Sequence, residues 1–313
     1  MAGIGVIINR KAGRKTGKGL APWKLGRLLD RSDCLRQTSS IEQIDEVIEE
    51  FRDRQIDILA IGGGDGSNHH VLSALVRFYR KRPLPLIAFL CGGTHNAHAA
   101  SVGVHGQANL ILARVAGRHH AGTGQELARR KLLRIDDGKG VRYGFSMATG
   151  FMYRFYKELH ARLDDTSLNV ARLIASWVVS FIVRGKAIRD VFRLEPGKVT
   201  ISGRALPWKE NNGISCSSME KLGLGFKPYP RANEHPDKFQ AAALRIGTGD
   251  FIRLMGQYWL GRMPEHPDQV NTITDRLLLE SERPVSYVMD GELYNGSSRL
   301  EVTTGPALEV IVP

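Results

Sequence analysis

The first third of the chain alternates apolar runs with amphipathic stretches. Gly3–Ile8 is almost wholly apolar and predicts a buried strand, Cys34–Thr38 a second, and Ile56–Ile61 a third. After Pro83 and Pro85, the run LIAFL at Leu86–Leu90 predicts a fourth. Residues 22–31 predict a short helix. Ser40–Arg54 opens with a hydroxyl and carries Ile41, Ile44, Val47, Ile48 and Phe51 at helical spacing. Val71, Leu72, Leu75 and Val76 mark one face of the next helix, and Leu110–Val115 another helix ending near Gly117. This β-α-β-α-β-α-β order predicts an α/β domain over residues 1–128, a parallel sheet with covering helices, closed by a hinge at 117–128.

From residue 129 the texture changes. Lys131–Ile135, an Asp136–Gly138 turn and Val141–Met147 predict a β-hairpin. Val191–Leu194, Lys198–Ile201, Gly213–Cys216, Ala241–Ile246 and Val285–Val288 predict further strands, and Thr166–Ile188 a helix. Residues 129–313 therefore read as a mainly β, sandwich-like domain, with its last strand a candidate to return to the first domain.

The chemistry concentrates at strand ends. The third strand runs into Gly62, Gly63, Gly64, Asp65 and Gly66, and a helical pattern follows. Glycines let an anion approach the backbone amides, and a helix start adds unpaired N–H groups and a positive dipole end. A phosphate suits this loop. No Gly-Lys-Ser/Thr follows, so it is not a Walker A loop, and the glycines do not fit G-x-G-x-x-G. Asp65 would repel a phosphate unless a cation lay between them, and Mg²⁺ binds both kinds of oxygen. A tight βα turn with Asp65 as helix cap is the alternative. Asn9–Gly17 offers a second Gly- and cation-rich loop at a strand end, and Cys91–Gly103 a third.

These segments together resemble the diacylglycerol kinase catalytic domain family. Gly63, Gly64, Asp65, Gly66 and Ser67 match its Gly-Gly-Asp-Gly-Thr/Ser loop, with His69 and His70 where Asn-Glu is usual. Asn9 and Gly13 match its first loop, where Arg10 replaces a proline. Gly93, Thr94, Asn96, Ala99 and Gly103 match its third, where His95 replaces glycine and Ala97 an aspartate. Gly150 falls at the glycine of a later family strand, and Gly223, Gly225, Phe226 and Pro230 match a later segment. After that segment the family carries an aspartate that holds a structural Mg²⁺. Asp237, between Glu234 and Phe239, is its best counterpart here, with Lys238 in place of glycine. Near the end, Asp290–Gly291–Glu292, then Pro306, Ala307, Leu308 and Pro313, match the terminal Asp-Gly-Glu and last strand.

The resemblance implies an ATP-dependent lipid kinase with its site between two domains. Asn9, Gly63, Gly64, Asp65, Gly66, Ser67, Asn68, Gly93, Thr94 and Asn96 would bind nucleotide, joined by Thr38 through its place after the second strand. Asp65 and Asp237 would be metal ligands, and Asp290 or Glu292 the general base. The acceptor would be diacylglycerol, a sphingoid base or another hydrophobic alcohol. Two rivals stand beside this reading. One is a nucleotide-binding protein without kinase activity, motivated by His69, His70 and Ala97. The other is a NAD kinase-like enzyme, which shares the glycine loop but fits the terminal motif poorly.

Charge adds a partner. The chain has 313 residues, with 44 Lys and Arg against 32 Asp and Glu, a net charge of +12. That favours anionic partners, and peripheral contact with an acidic membrane surface fits. No nucleic-acid-binding signature is present. Three dispersed cysteines, Cys34, Cys91 and Cys216, and the lack of a signal peptide predict a reduced, cytoplasmic protein. Leu173–Val183, the longest apolar run, is too short to span a bilayer and predicts a buried helix. His69, His70, His95 and His98 fit no familiar zinc spacing, and adjacent helical histidines diverge around the axis.

Overall fold

The computed structural model describes residues 3–10, 20–93, 96–162, 172, 176, 190–222 and 226–313. The loop segment Lys11–Gly17, Thr94, His95, Gly223, Gly225 and nearly all of the helix expected at Thr166–Ile188 lie outside these. The chain forms two compact units. One comprises residues 1–130 with 306–313, the other residues 131–305.

In the first unit, β1 (Ile4–Asn9), β2 (Cys34–Thr38), β3 (Ile58–Gly62) and β4 (Leu86–Phe89) pair in parallel in the order β2-β1-β3-β4. The end of the chain's last strand adds a parallel neighbour, with Val310 beside Ile87 of β4. β3 is buried along its whole length, as a strand covered on both faces must be. Around the sheet run α1 (Pro22–Gly26), α2 (Ile41–Asp53), α3 (Asp65–Tyr79), α4 (Ala97–Ser101) and α5 (Ala108–His120). Ser40 caps α2 by accepting the Gln43 N–H, and Ile44, Ile48 and Phe51 form its buried face. α2 packs on α3, and α1 on α5. The α/β expectation for this region holds.

Two boundaries differ from the sequence pattern. α1 stops at Gly26. α5 runs through Gly117 to His120, so the expected hinge shrinks to a short connection. A helical glycine costs only about 1 kcal/mol, less than burying Ile111, Leu112, Val115 and Ala116 on one face returns.

The second unit is mostly antiparallel. Its elements are β5 (Leu127–Asp136, entering from the first unit), β6 (Val141–Gly144), β7 (Ser146–Thr149), α6 (Phe151–Arg162), β8 (Glu195–Pro196), β9 (Lys198–Ile201), β10 (Arg204–Ala205), β11 (Glu210–Asn211), β12 (Gly213–Ser217), β13 (Phe239–Leu244), α7 (Thr248–Trp259), β14 (Gln269–Thr274), β15 (Arg276–Glu280), β16 (Ser286–Met289), β17 (Glu292–Asn295) and β18 (Arg299–Ile311). One antiparallel group runs β10-β9-β15-β18 and another β14-β13-β12-β7-β16-β17. Both contribute to a single core that includes Met147, Cys216, Phe239, Leu277, Tyr287 and Val302.

The hairpin expected over 131–147 forms only in part. β5 pairs with β6, but the chain breaks at Phe145, and β7 pairs instead with β12 and β16. Phe145 is buried, with its N–H on the Asp290 carboxylate and its carbonyl accepting the Ser218 N–H. Val191–Leu194 is not a strand. Asp190 and Val191 are helical, and Phe192 stacks on Phe151 at 5.0 Å in a cluster with Leu244 and Ile246. Aromatic packing overrides β-propensity there.

A buried ionic knot holds the β5–β6 turn. Asp137 is fully buried and accepts from the Tyr287 hydroxyl (2.8 Å), the Lys139 N–H (2.9 Å), the Gly140 N–H (3.0 Å) and the Arg142 guanidinium. Arg142 in turn lies over the Tyr294 ring at 4.5 Å, and Tyr294 stacks on Tyr287 at 5.3 Å.

Candidate active site

The first group of candidates gathers where the parallel strands end. Asn9, last in β1, donates from Nδ2 to the Ser67 hydroxyl at 2.8 Å, tying the strand end to the first turn of α3. The Gly92 N–H donates to the Gly63 carbonyl at 3.0 Å. Gly64 and Gly93 then meet face to face. A Cβ on Gly64 would stand 3.1 Å from Gly93 Cα, and one on Gly93 would overlap Gly64 Cα. Glycine is therefore needed at Gly93, while a side chain at Gly64 would require Gly93 to give by a few tenths of an ångström. Gly93→Ala is expected to force these loops apart and lower the melting temperature, with the rest of the fold retained. Thermal melts followed by circular dichroism check it.

Asn96 sits at φ 49°, in the left-handed region that Asn tolerates. Its amide closes the turn on Gly93, accepting from the Gly93 N–H at 2.8 Å and donating to the Gly93 carbonyl at 2.9 Å. Asp65 is the first residue of α3, capped by Gly64 rather than by its own carboxylate. That carboxylate reaches across to α4 and accepts the Ala97 and His98 N–H groups, both at 3.0 Å. The helix it caps is thus the neighbour, not its own. Burial, with the Asp65 charge second, pushes the Cys91 thiol up to about 11.

The first-turn amides of α3 at Asp65, Gly66 and Ser67 have no acceptor within the helix. With the dipole behind them, they fit an oxyanion. Asn68, one turn further in, is 3 % exposed, and its Oδ1 has no hydrogen-bond partner among the described residues. Thr38 lies beside Asn9 in the β1–β2 register, but its side chain is buried. Thr94 lies outside the described residues. His69 and His98 are buried.

A carboxylate has about four lone-pair sites, so the two α4 amides leave Asp65 room for a cation. Mg²⁺ commonly takes one or two carboxylates and completes its shell with phosphate oxygens and water. Asp65 fits that demand. Among the described residues, no group of three or more His, Cys, Asp or Glu gathers to hold a metal. Asp237 is exposed. Its carbonyl accepts the Thr304 hydroxyl at 2.8 Å and its N–H meets His235 Nδ1 at 3.1 Å.

The acidic turn lies in the second unit. Met289 pairs with Glu292, so Asp290 and Gly291 form a two-residue hairpin loop, with φ 49° and 92°. Positive φ at both central residues marks the type I′ turn that Asp-Gly favours. The two acids diverge from there. Asp290 is 8 % exposed and accepts the Phe145 N–H (2.9 Å), the Ser146 N–H (2.8 Å) and the Ser146 hydroxyl (3.0 Å). Glu292 opens β17 and is half-buried. Burial, with the Glu292 charge next, pushes the nearby Tyr294 hydroxyl up to about 12. Phe145 and Ser146, which hold Asp290, carry no motif that would have marked them in the sequence.

The same unit holds a pocket of about 430 Å³ whose walls include Thr149, Tyr153, Leu194, Leu279, Arg283 and Ser286.

The family model for the diacylglycerol kinase catalytic domain matches residues 3–127, the stretch that carries the paired glycine loops. The chain contains that domain. Its fold is also that of solved bacterial proteins. A diacylglycerol kinase from Bacillus anthracis str. Sterne superposes with a TM-score of 0.66 at 14 % identity, covering 100 % of this chain and 97 % of that one. A second structure from the same organism, of a candidate diacylglycerol kinase, gives 0.73 at 15 % identity, with coverage of 100 % and 97 %. A third gives 0.69 at 16 % with the same coverage. No curated protein matches the chain. The likeness of fold to the solved structures extends past residues 3–127 to the β-rich unit. Among the described residues, no helix is long and apolar enough to cross a membrane.

Proposed function

We propose that the protein is an ATP-dependent lipid kinase that transfers the γ-phosphoryl group of ATP to a lipid hydroxyl. The observation that carries this reading is the joined pair of glycine loops inside the diacylglycerol kinase catalytic domain, with Asp65 set at the start of α3. The α3 amides and the glycine edge would hold the phosphates. Mg²⁺, when bound beside Asp65, would draw charge off the phosphate oxygens. Asp237 stands as a separate metal candidate.

The chemistry asks for alignment and one proton acceptor. We assign the acceptor to Glu292. Asp290 already takes three donors from Phe145 and Ser146, which suits it to hold the turn. The lipid hydroxyl gives its proton to the Glu292 carboxylate as its oxygen bonds to the γ-phosphorus. The bond from that phosphorus to the bridging oxygen breaks, ADP leaves with the electron pair, and the proton passes on to solvent. The acceptor's apolar part would use the second unit, where the pocket beside Leu279 is the candidate cradle.

The test is incubation with γ-labelled ATP, Mg²⁺ and a total lipid extract, with mass identification of the labelled product. A labelled phospholipid is the expected result, and its absence with every lipid class removes the proposal. Asp65→Ala is expected to weaken ATP binding by about tenfold or more, since it frees two α4 amides and removes the candidate cation ligand. Equilibrium dialysis with and without Mg²⁺ measures it.

A second reading, nucleotide binding without transfer, gains support from the engagement of Asp65 by α4 and from Ala97 standing where the family has an aspartate. It predicts the same loss of ATP binding and no labelled lipid. NAD supplied as acceptor in the same assay tests the NAD kinase alternative.

A further inference from the structure

The last turn of α7 carries a feature that neither the fold nor the phosphoryl transfer uses. α7 buries Leu254 and Tyr258, and Phe251 packs on the Phe151–Phe192 cluster. Its next two residues, Trp259 and the C-cap Leu260, face solvent at 45 % and 63 % exposure. Large apolar side chains side by side at a helix end cost solubility unless something covers them.

The tip is built firmly. The Arg262 N–H closes on the Gln257 carbonyl at 2.9 Å and the Gly261 N–H on the Tyr258 carbonyl at 3.2 Å, with Gly261 at φ 73°. This is a Schellman closure, which needs the left-handed glycine and fixes the direction of the residues before it. The Phe226 ring lies 5.9 Å from Trp259 and braces it. Lys227 runs alongside Gly261 and is exposed, as is Arg262. Neither cation is in an ion pair among the described residues, whereas Arg253, two turns back, is held by Asp250.

We propose that this tip is a membrane-docking element: Trp259 and Leu260 enter the interface of an anionic bilayer, while Lys227 and Arg262 contact its headgroups. An exposed Trp–Leu pair flanked by two cations is complementary to such an interface, apolar at depth and negative at the surface. A protein groove would favour a longer apolar stripe, and the rest of the exposed α7 surface is glycine or polar, at Gly249, Arg253, Gly256 and Gln257. The inference gives the lipid kinase of the preceding section its membrane face, and in that sense rests on that reading.

Co-sedimentation of the full chain with phosphatidylcholine vesicles, with and without phosphatidylglycerol, tests it without ATP. Binding is expected only with phosphatidylglycerol and is expected to fall as salt rises. Trp259→Ala with Leu260→Ala should abolish it, with the melting temperature kept. Lys227→Glu with Arg262→Glu should weaken it on the order of tenfold or more. Brominated lipid should quench wild-type tryptophan emission and quench Trp259→Phe far less. Phosphorylation of a short-chain, water-soluble acceptor should be unchanged in all three variants. Absence of wild-type binding, or equal binding by the Trp259/Leu260 double variant, overturns the proposal. So does a wild-type dimer in solution that the double variant dissolves. Vesicle binding through the tip without lipid phosphorylation would remove the kinase reading alone.

Discussion

Glu292→Gln is expected to lower phosphoryl transfer to lipid by about 10²- to 10⁴-fold, the span of a lost general base, while ATP affinity and melting temperature stay at wild-type values. Asp290→Ala is expected to behave differently. It strips the acceptor from the Phe145 and Ser146 N–H groups, each worth about 1–3 kcal/mol if left unsatisfied, and puts alanine at a positive φ. Activity should fall together with stability. Asp290→Asn should lie between, because Asn accepts the left-handed backbone but presents an NH₂ to donors. Thermal melts beside initial rates separate the two residues. A Glu292→Gln enzyme with full activity, or one as unstable as Asp290→Ala, would reverse the assignment.

The second large effect is on stability. Asp137→Asn should destabilise the β-rich unit by about 3 kcal/mol, the lower end for breaking a buried pair, because Arg142 keeps 30 % side-chain exposure. Urea unfolding followed by tryptophan fluorescence gives the value. The same residue sets a pH dependence. Burial alone would raise the Asp137 carboxyl. The Tyr287 hydroxyl, the Lys139 and Gly140 N–H groups and the Arg142 charge outweigh it and hold the group below the usual carboxylate range. A depressed folded-state value means that its contribution is present above the unfolded value of about 3.9 and is lost as pH falls through the folded one. Wild-type protein should therefore lose stability steeply in acid below that value, and Asp137→Asn should show a shallower acid limb. Equal acid limbs would remove Asp137 from that role.

The parallel strands were readable because burial on both faces leaves near-continuous apolar runs, as in Gly3–Ile8 and Leu86–Leu90. The glycine loops were readable because a close approach of two backbones permits few other residues. Elements whose logic lies in a distant partner were not. α7 begins Thr248–Gly249–Asp250, and its apolar residues make sense only against the Phe151–Phe192 cluster. Val191–Leu194 reads as a strand until Phe192 stacks on Phe151. The break at Phe145 follows from a carboxylate 145 residues away in sequence. At the site, the sequence pointed to Asp65 but gave no sign that α4 would take its oxygens. It offered Asp290 and Glu292 as equals, and gave no sign that Phe145 and Ser146 would donate to the first of them.

The route of β18 carries a practical lesson for anyone excising the catalytic domain. That strand begins in the second unit and ends beside β4, with Val310 next to Ile87. A fragment cut after residue 127 would leave Leu86–Phe89 as a bare, apolar sheet border, open to pairing with another copy. Such a fragment should aggregate on expression. Tethering residues 306–313 back through a linker should restore solubility.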